Sequence, residues 1–312
     1  MQAPNAVSGR FFEGLIKRAA ALPPIKMGVV HPCDAPSLAG ALAARDLGLI
    51  IPVLIGPRSK IEAVAMAGGV SLAGVEIVDA PHSHAAAEAA VALARHCKLD
   101  ALKKGSLHTG ELMEAVVDKQ HGLRTDRRMS HVFVLDVKTY PKPLLITDAA
   151  INIAPTLDEK RDIVRNAIDL AHALGIERPK VALLSAVEEV EAKIPSTIDA
   201  AALCKMADRG QILGAELDGP LAFDNAISRE AAATKGIRST VAGDADILVA
   251  PELDAGNILA KQLVFLGGAE TAGLALGART PIVLTSRADD IRARAASCAL
   301  AQIFAHWRHP AN

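Results

Sequence analysis

Residues 132–175 read VFVLDVKTYPKPLLITDAAINIAPTLDEKRDIVRNAIDLAHALG, and their pattern decides the fold. Two apolar runs, 132–137 and 144–147, flank Tyr140-Pro-Lys-Pro143, which breaks regular structure. Short runs of β-branched and leucine residues bounded by Gly, Pro or Asp suit strands buried on both faces, as in a parallel sheet. Further on, Ile163, Val164, Ala167, Ile168, Ala171 and Leu174 fall on one helical stripe. Thr156 with Glu159 forms a capping box ahead of it and Gly175 supplies a stop, so the spacing predicts a helix over 158–174.

The same alternation extends in both directions. Strand-like runs occupy 25–30, 50–55, 75–78, 181–184, 245–250 and 281–285, with helical patterns at 35–47, 83–95, 196–207, 255–265 and 289–304. Such alternation predicts an α/β fold with mostly parallel sheets. A length of 312 residues suggests about two domains. One boundary is expected at 139–144, and a second crossing at 267–279, punctuated by Gly267, Gly268, Gly273 and Gly277. A return of the last strand and helix to the first domain gives lobes of 1–140 plus 278–312 and of 141–277, with an interdomain cleft where ligands are expected to bind.

Composition removes several function classes. Thirty-four Lys and Arg against thirty-five Asp and Glu leave no net field to attract polyanions or an acidic membrane. One Trp and one Tyr offer few stacking platforms, so no nucleic-acid partner is expected. Aromatics make up 3% of the chain, and the core must be aliphatic. Cys33, Cys97, Cys204 and Cys298 are widely spaced without a Cys-x-x-Cys, which predicts free thiols in a reducing compartment. No apolar run approaches a membrane span and residues 1–18 lack a signal-peptide core, so a cytoplasmic protein without a membrane partner is expected. Glycine-rich nucleotide-binding loops, the G-x-S-x-G elbow and H-E-x-x-H are absent. The close pairs His82 with His84 and His306 with His309 lack carboxylate or thiolate partners at ligand spacing, and no metal site is expected.

Several segments concentrate polar chemistry. Leu284-Thr-Ser-Arg-Ala-Asp-Asp-Ile291 follows the last strand and opens the last helix, where α/β sheets bind ligands. Ser286 can donate to a developing oxyanion, Arg287 presents a bidentate fork, and Asp289 or Asp290 can take a proton. The same residues also make an ordinary helix cap, with Ser286 as cap and Asp289 three residues on. In Lys104-Gly-Ser-Leu-His-Thr-Gly110, the residues Lys104, Ser106, His108 and Thr109 either cradle a phosphate or form a strand-to-helix turn capped by Thr109. Thr147, Asp148 and Asn152 follow a strand and need buried partners, from protein or ligand. Asp254-Ala-Gly-Asn257 reads as a helix N-cap with a close backbone approach at Gly256. Arg124, Arg127 and Arg128 form a basic run that is either solvated or faces ligand phosphates.

Taken in order, KGSLHT, SHV, ITDAAINIAP, GPLAFDNAIS, AGDADILVAPELDAGNILAK and PIVLTSRAD resemble the blocks of the phosphate acetyl/butyryltransferase family, from about Ile25 to Ile291. Their spacing resembles the phosphate butyryltransferase branch more than the main acetyltransferase branch. The resemblance implies a two-lobed fold similar to isocitrate and isopropylmalate dehydrogenases, a homodimer or larger homo-oligomer, and no metal or other cofactor. It implies acyl-CoA and phosphate as substrates, exchanged reversibly for acyl phosphate and CoA.

By the same resemblance, Ser286 hydrogen-bonds the acyl carbonyl, Arg287 holds the phosphoryl group, and a nearby aspartate takes the CoA thiol proton. Between the two aspartates, helical geometry favours Asp290: with Asp289 reaching back to the cap, Asp290 is turned about 100° away and free. Lys104, Ser106, His108, Thr109, Thr147, Asn152, Asp254, Asn257 and Lys261 are the expected phosphate- and CoA-binding residues. Lys261 stands roughly where acetyltransferases place another phosphate-binding arginine. Two rivals remain: a metal- and NAD(P)-dependent 2-hydroxyacid dehydrogenase, for which Asp244 and Asp246 would serve as ligands, and a non-catalytic CoA-binding module.

Overall fold

The computed structural model describes residues 10–285 and 289–309. It contains two compact units: a terminal unit of Phe12–Arg127 completed by the chain from Ala272 onward, and a central unit of Arg128–Thr271 joined by the chain up to Phe11. Both are α/β with mostly parallel strands, as the alternation predicts.

The terminal unit begins with α1 (Phe11–Ala20), β1 (Ile25–Val30), α2 (Ala35–Asp46), β2 (Ile50–Gly56) and α3 (Arg58–Ala67). It continues through β3 (Glu76–Asp79), α4 (Ser83–Arg95), β4 (Ala101–Lys104) and α5 (Thr109–Val116). Asp34 caps α2 by accepting the Ser37 N–H at 2.8 Å, with a proline in the first turn where its missing donor costs nothing. β1 pairs in parallel with β2 and β4, and β2 with β3. Val29, Leu38, Leu42, Leu54 and Ile61 fill one side of this sheet, each aliphatic side chain contributing about 1.5–3 kcal/mol on burial.

The central unit comprises β5 (Ser130–Asp136), β6 (Leu144–Thr147), α6 (Leu157–Ala173), β7 (Lys180–Leu184) and α7 (Pro195–Asp208). After these come β8 (Glu216–Leu221), α8 (Phe223–Ile227), α9 (Arg229–Thr234), β9 (Ile247–Val249) and α10 (Leu253–Phe265). Its strand order is β5-β6-β9-β7-β8, parallel except for the antiparallel β5–β6 pair. The capping box at Thr156 and Glu159 is present, and Gly175 ends α6 at a φ of 93°.

The first expected crossing moves, and the second falls within the expected 267–279. Val134 lies opposite Leu145, so Tyr140-Pro-Lys-Pro143 connects two strands of one hairpin and does not divide domains. That connection is fastened: the Tyr140 hydroxyl donates to Ala245 O at 2.6 Å, and Lys142 Nζ lies 2.7 Å from Asp246 and 3.0 Å from Asp244. The boundaries observed are therefore 11/12, 127/128 and 271/272, against the expected 140/141 and 277/278.

From the second boundary, β10 (Glu270–Leu276), β11 (Ile282–Val283) and α11 (Ile291–Arg308) complete the terminal unit. β11 pairs in parallel with β4, Val283 opposite Lys103, and antiparallel with β10, giving the order β3-β2-β1-β4-β11-β10. α11 packs against α2, burying alanines at 295, 296, 299, 301 and 305. No helix among the described residues is long and apolar enough to cross a membrane.

Asp244 is a structural hub that pairs with three cations. It accepts from Lys180 Nζ at 2.6 Å and Arg229 Nη2 at 3.1 Å as well as pairing with Lys142. Burial pushes its carboxyl up, but hydrogen bonds from Lys180 and Lys142 outweigh this and hold it at about 2. Because the folded value lies below the ordinary one, the stabilisation is complete above about pH 4 and is lost as pH falls toward 2. Asp244→Asn is expected to cost about 1.5–3 kcal/mol at pH 7 and to flatten the acid limb between pH 4 and 2. Urea denaturation across that range checks both, and an unchanged acid limb would contradict the assignment.

Candidate active site

At the carboxyl ends of β1 and β4, Gly105 N donates to Val30 O at 2.9 Å and Ser106 N to His31 O at 3.0 Å. These two N–H groups are thus spent within the protein and do not cradle a phosphate. A Cβ at Gly105 would overlap the carbonyl oxygens of Val30 and His31, which explains glycine there. The Ser106 hydroxyl donates to His31 O at 2.7 Å and lies 3.0 Å from His31 Nδ1. Burial, aided by Lys60, lowers the His31 pKa against the opposing pull of Glu111 and Asp34. Lys104 Nζ reaches Gly105 O at 3.3 Å and Leu107 O at 3.2 Å, bracing the loop from within. His108, not Thr109, is the N-cap residue of α5, and its side chain makes no capping bond; Thr109 is the first helical residue.

Beside this loop the chain leaves β11. Ser286 and Arg287 lie outside the described residues. The helix that follows opens later than expected: Asp290 is its N-cap, exposed, with Oδ1 accepting the Ala293 N–H at 2.7 Å. Neither Ser286 as cap nor Asp289 in the first turn holds. Asp289, the other candidate, is half-buried just outside the helix.

Near Thr285 and Asp289 are two buried cations that the sequence did not announce. Arg294 is 4% exposed and donates to Thr285 Oγ1 and to the backbone oxygen of Asp289. Lys103 is fully buried and its Nζ has no hydrogen-bond partner among the described residues. Burial lowers its pKa; Cys298 and Asp289 act against that shift and Arg294 reinforces it.

The central unit gathers a second set where β6 ends beside the start of β5. Thr147 Oγ1 donates to His131 O at 2.9 Å. Asp148 accepts the N–H groups of Ala150, Ile151 and Asn152, and Asn152 Nδ2 at 2.5 Å. Asn152 Oδ1 in turn accepts from Arg128 Nε at 2.6 Å, and Arg128 Nη1 lies 3.2 Å from Glu159. The half-exposed Arg128 guanidinium is therefore held in one orientation, suited to an anion. Burial pushes the His131 imidazole down despite the opposing Asp148 charge, which favours its neutral form.

Asn257 joins this set through Nδ2, which donates to Ala149 O at 2.9 Å. Asp254 and Lys261 do not: both are exposed on α10, whose N-cap is Glu252, accepting from Asp254 N and Ala255 N. Sequence reasoning passed over His31 and Arg294; His131 was signalled by the SHV block and Arg128 by the basic run. All four cysteines are free thiols, and no cluster of three potential metal ligands occurs among the described residues.

Solved structures place this architecture among the phosphotransacylases. A branched-chain phosphotransacylase of Enterococcus faecalis V583 is 31% identical with a TM-score of 0.80, over 90% of this chain and 99% of that one. A phosphotransacetylase of Streptococcus pyogenes shares the fold with a TM-score of 0.82 at 22% identity, over 96% and 99% of the two chains. The phosphate acetyl/butaryl transferase profile matches residues 84–301, and the chain belongs to that family of acyltransferases. A phosphate acetyltransferase of Rhizobium meliloti is 60% identical over 96% of this chain and 95% of its own. A phosphate butyryltransferase of Clostridium acetobutylicum is 42% identical over 90% and 93%. The acetyl-named relative is the more similar of the two, against the branch that motif spacing suggested.

Proposed function

We propose that the protein transfers an acetyl group reversibly between CoA and inorganic phosphate, with Ser286, Arg287 and Asp289 as the reacting residues. The observation that carries this reading is the 60% identity to a phosphate acetyltransferase over nearly the whole chain, together with the SRAD segment at a strand end. In the direction of acetyl-CoA synthesis, the CoA thiol attacks the carbonyl of acetyl phosphate. A thiol with a pKa near 8.5 is mostly protonated at pH 7, so a carboxylate that takes its proton raises the reactive fraction. Asp289 is assigned that task because Asp290 caps α11. Ser286 donates to the oxyanion, an effect worth about 3–4 kcal/mol for one well-placed donor, and Arg287 neutralises the departing phosphate.

The fixed guanidinium of Arg128 and the side chain of Asn257, both in the central unit, are assigned to substrate binding, whereas Lys104, Thr147 and Asn152 brace their own loops. The reading takes in a homodimer or larger homo-oligomer in the cytoplasm, acting without metal or cofactor. The fold alone is shared with 4-hydroxythreonine-4-phosphate dehydrogenase of Klebsiella pneumoniae, at a TM-score of 0.56 and 15% identity over 90% of this chain and 99% of that one.

The test follows release of the CoA thiol from acetyl-, propionyl- and butyryl-CoA, with and without phosphate and with a chelator. Phosphate-dependent release, fastest with acetyl-CoA and indifferent to chelator, is expected. No phosphate-dependent release, or turnover abolished by chelator and restored by Mg²⁺, would reject the proposal.

A further inference from the structure

A cleft of about 590 Å³ opens in the terminal unit at the amino ends of its parallel strands. Ile25 opens β1 there, Leu99 and Asp100 lead into β4, and Thr280 and Pro281 lead into β11. With about 3.3 Å of rise per residue, the six residues of β1 put this cleft roughly 17 Å from the carboxyl ends where Gly105 and Ser106 lie. Its volume is that of a small-molecule site, for which about 300–1,000 Å³ is usual. Part of the lining is apolar, from Ile25, Leu99, Pro281 and Ala305, and the rest carries Arg95, Arg279 and Arg308 against a single acid, Asp100.

Backbone carbonyls at this end of the sheet would repel an anion, but other groups already answer them. Arg308 Nη1 donates to Ala278 O and Arg279 O, each at 3.1 Å, and His306 Nε2 lies 2.8 Å from Pro23 O. His96 Nδ1 lies 2.7 Å from Ala92 O in the last turn of α4. The Asp100 carboxylate accepts the Lys26 N–H at 2.8 Å. Arg95 and Arg279 are needed for none of this: both are exposed, and neither side chain makes a hydrogen bond or ion pair among the described residues. Thr280, beside Arg279, is 9% exposed, and its Oγ1 has no hydrogen-bond partner among the described residues. A buried hydroxyl in that state calls for a partner, and the chain supplies none here.

We propose that this cleft is a second ligand site, for an organic phosphate, with Arg95 and Arg279 gripping the phosphate and Thr280 donating to it. Guanidinium groups match phosphate oxygens in bidentate pairs, and the apolar lining takes the carbon body, which inorganic phosphate lacks. A nucleotide and a sugar phosphate share this chemistry. The inference is independent of the acyl-transfer reading, since every residue in it lies at the opposite end of the strands.

The test is titration calorimetry on the full chain with AMP, glucose 6-phosphate and adenosine, with hydrogen–deuterium exchange to locate the bound probe. At least one of the two phosphates is expected to bind once per chain and far more tightly than adenosine, the tighter of the two showing whether a nucleotide or a sugar phosphate is the source. Protection is expected in peptides covering 95–100 and 279–281, and CoA is expected to leave it in place. Arg95→Ala and Arg279→Ala should each raise Kd about 10- to 100-fold, as for the loss of a charged hydrogen-bond partner, at parental urea midpoints. Thr280→Val, which removes an unbonded hydroxyl, should weaken binding a few-fold and hold or raise the midpoint. Parental affinity in both arginine variants would overturn the site, as would displacement of the probe by CoA or equal affinity for AMP and adenosine. Absence of binding by either phosphate below about 10 mM would also overturn it.

Discussion

Asp289→Asn is expected to lower kcat about 10²- to 10⁴-fold, the range for losing a general base, while its urea midpoint stays near that of the parent. Asp290→Ala is expected to do the reverse, costing about 1 kcal/mol of stability with kcat changed by less than a few-fold, because its side chain holds the Ala293 N–H of α11. Asp290→Asn, which still caps, should be close to neutral in both. The pair separates the roles because the residues are adjacent but differ in environment: Asp290 is exposed and bonded to the helix, and Asp289 is half-buried and close enough to Lys103 to act on its titration. A kinetic defect that follows Asp290 would return the base to that position; parental activity in both variants would place the base elsewhere.

Gly256→Ala is expected to destabilise the protein by about 3 kcal/mol or more, at the upper end for overpacking. An added Cβ would overlap the Asp148 carbonyl oxygen and come within 3.0 Å of Ala250 Cβ. The neighbouring segment cannot yield cheaply, since the Asp148 carboxylate is committed to three backbone N–H groups and the Asn152 amide, and Ala149 O accepts from Asn257. Alanine's better helix propensity returns only about 1 kcal/mol. Equilibrium denaturation measures the balance, and a loss below about 1 kcal/mol would show that α10 can shift away from the 148–149 backbone. Such a shift would move Asn257, so substrate KM should rise together with the loss of stability.

Elements that follow simple periodicity were legible in the sequence. The expected runs 25–30 and 144–147 are the observed strands β1 and β6, and the helix expected over 158–174 differs from α6 by one residue at each end. The missed elements contain residues that disguise them. β4 ends in Lys103-Lys104, and a strand that buries a lysine completely breaks the apolar pattern on which its recognition depends. β8 carries Gly219-Pro220, which reads as a turn, and β10 carries Gly273 behind the Gly267-Gly268 pair, which reads as a crossing. The site shows the same division. Gly256 was recognised as a close backbone approach because glycine advertises missing volume, whereas Arg294 resembles any helical arginine until its burial and its two acceptors are known. The cap of α11 was misplaced because Ser286, Asp289 and Asp290 are all good capping residues, and spacing alone does not choose among them.

The discontinuous make-up of the terminal unit sets an order of events during synthesis. β4 receives its β11 neighbour about 180 residues later in the chain, whereas the central unit, apart from the chain up to Phe11, is a continuous stretch. At about 5–20 residues per second, the β4 edge waits on the order of 10–40 s with its backbone donors and acceptors unpaired on that side. The central unit can close during that interval. An unpaired strand edge is a template for another chain, so the nascent protein is most open to intermolecular pairing while residues 128–271 are being made. Lys103 and Lys104 sit on that waiting edge, and two charges there oppose pairing with a second copy before β11 arrives and one of them is buried.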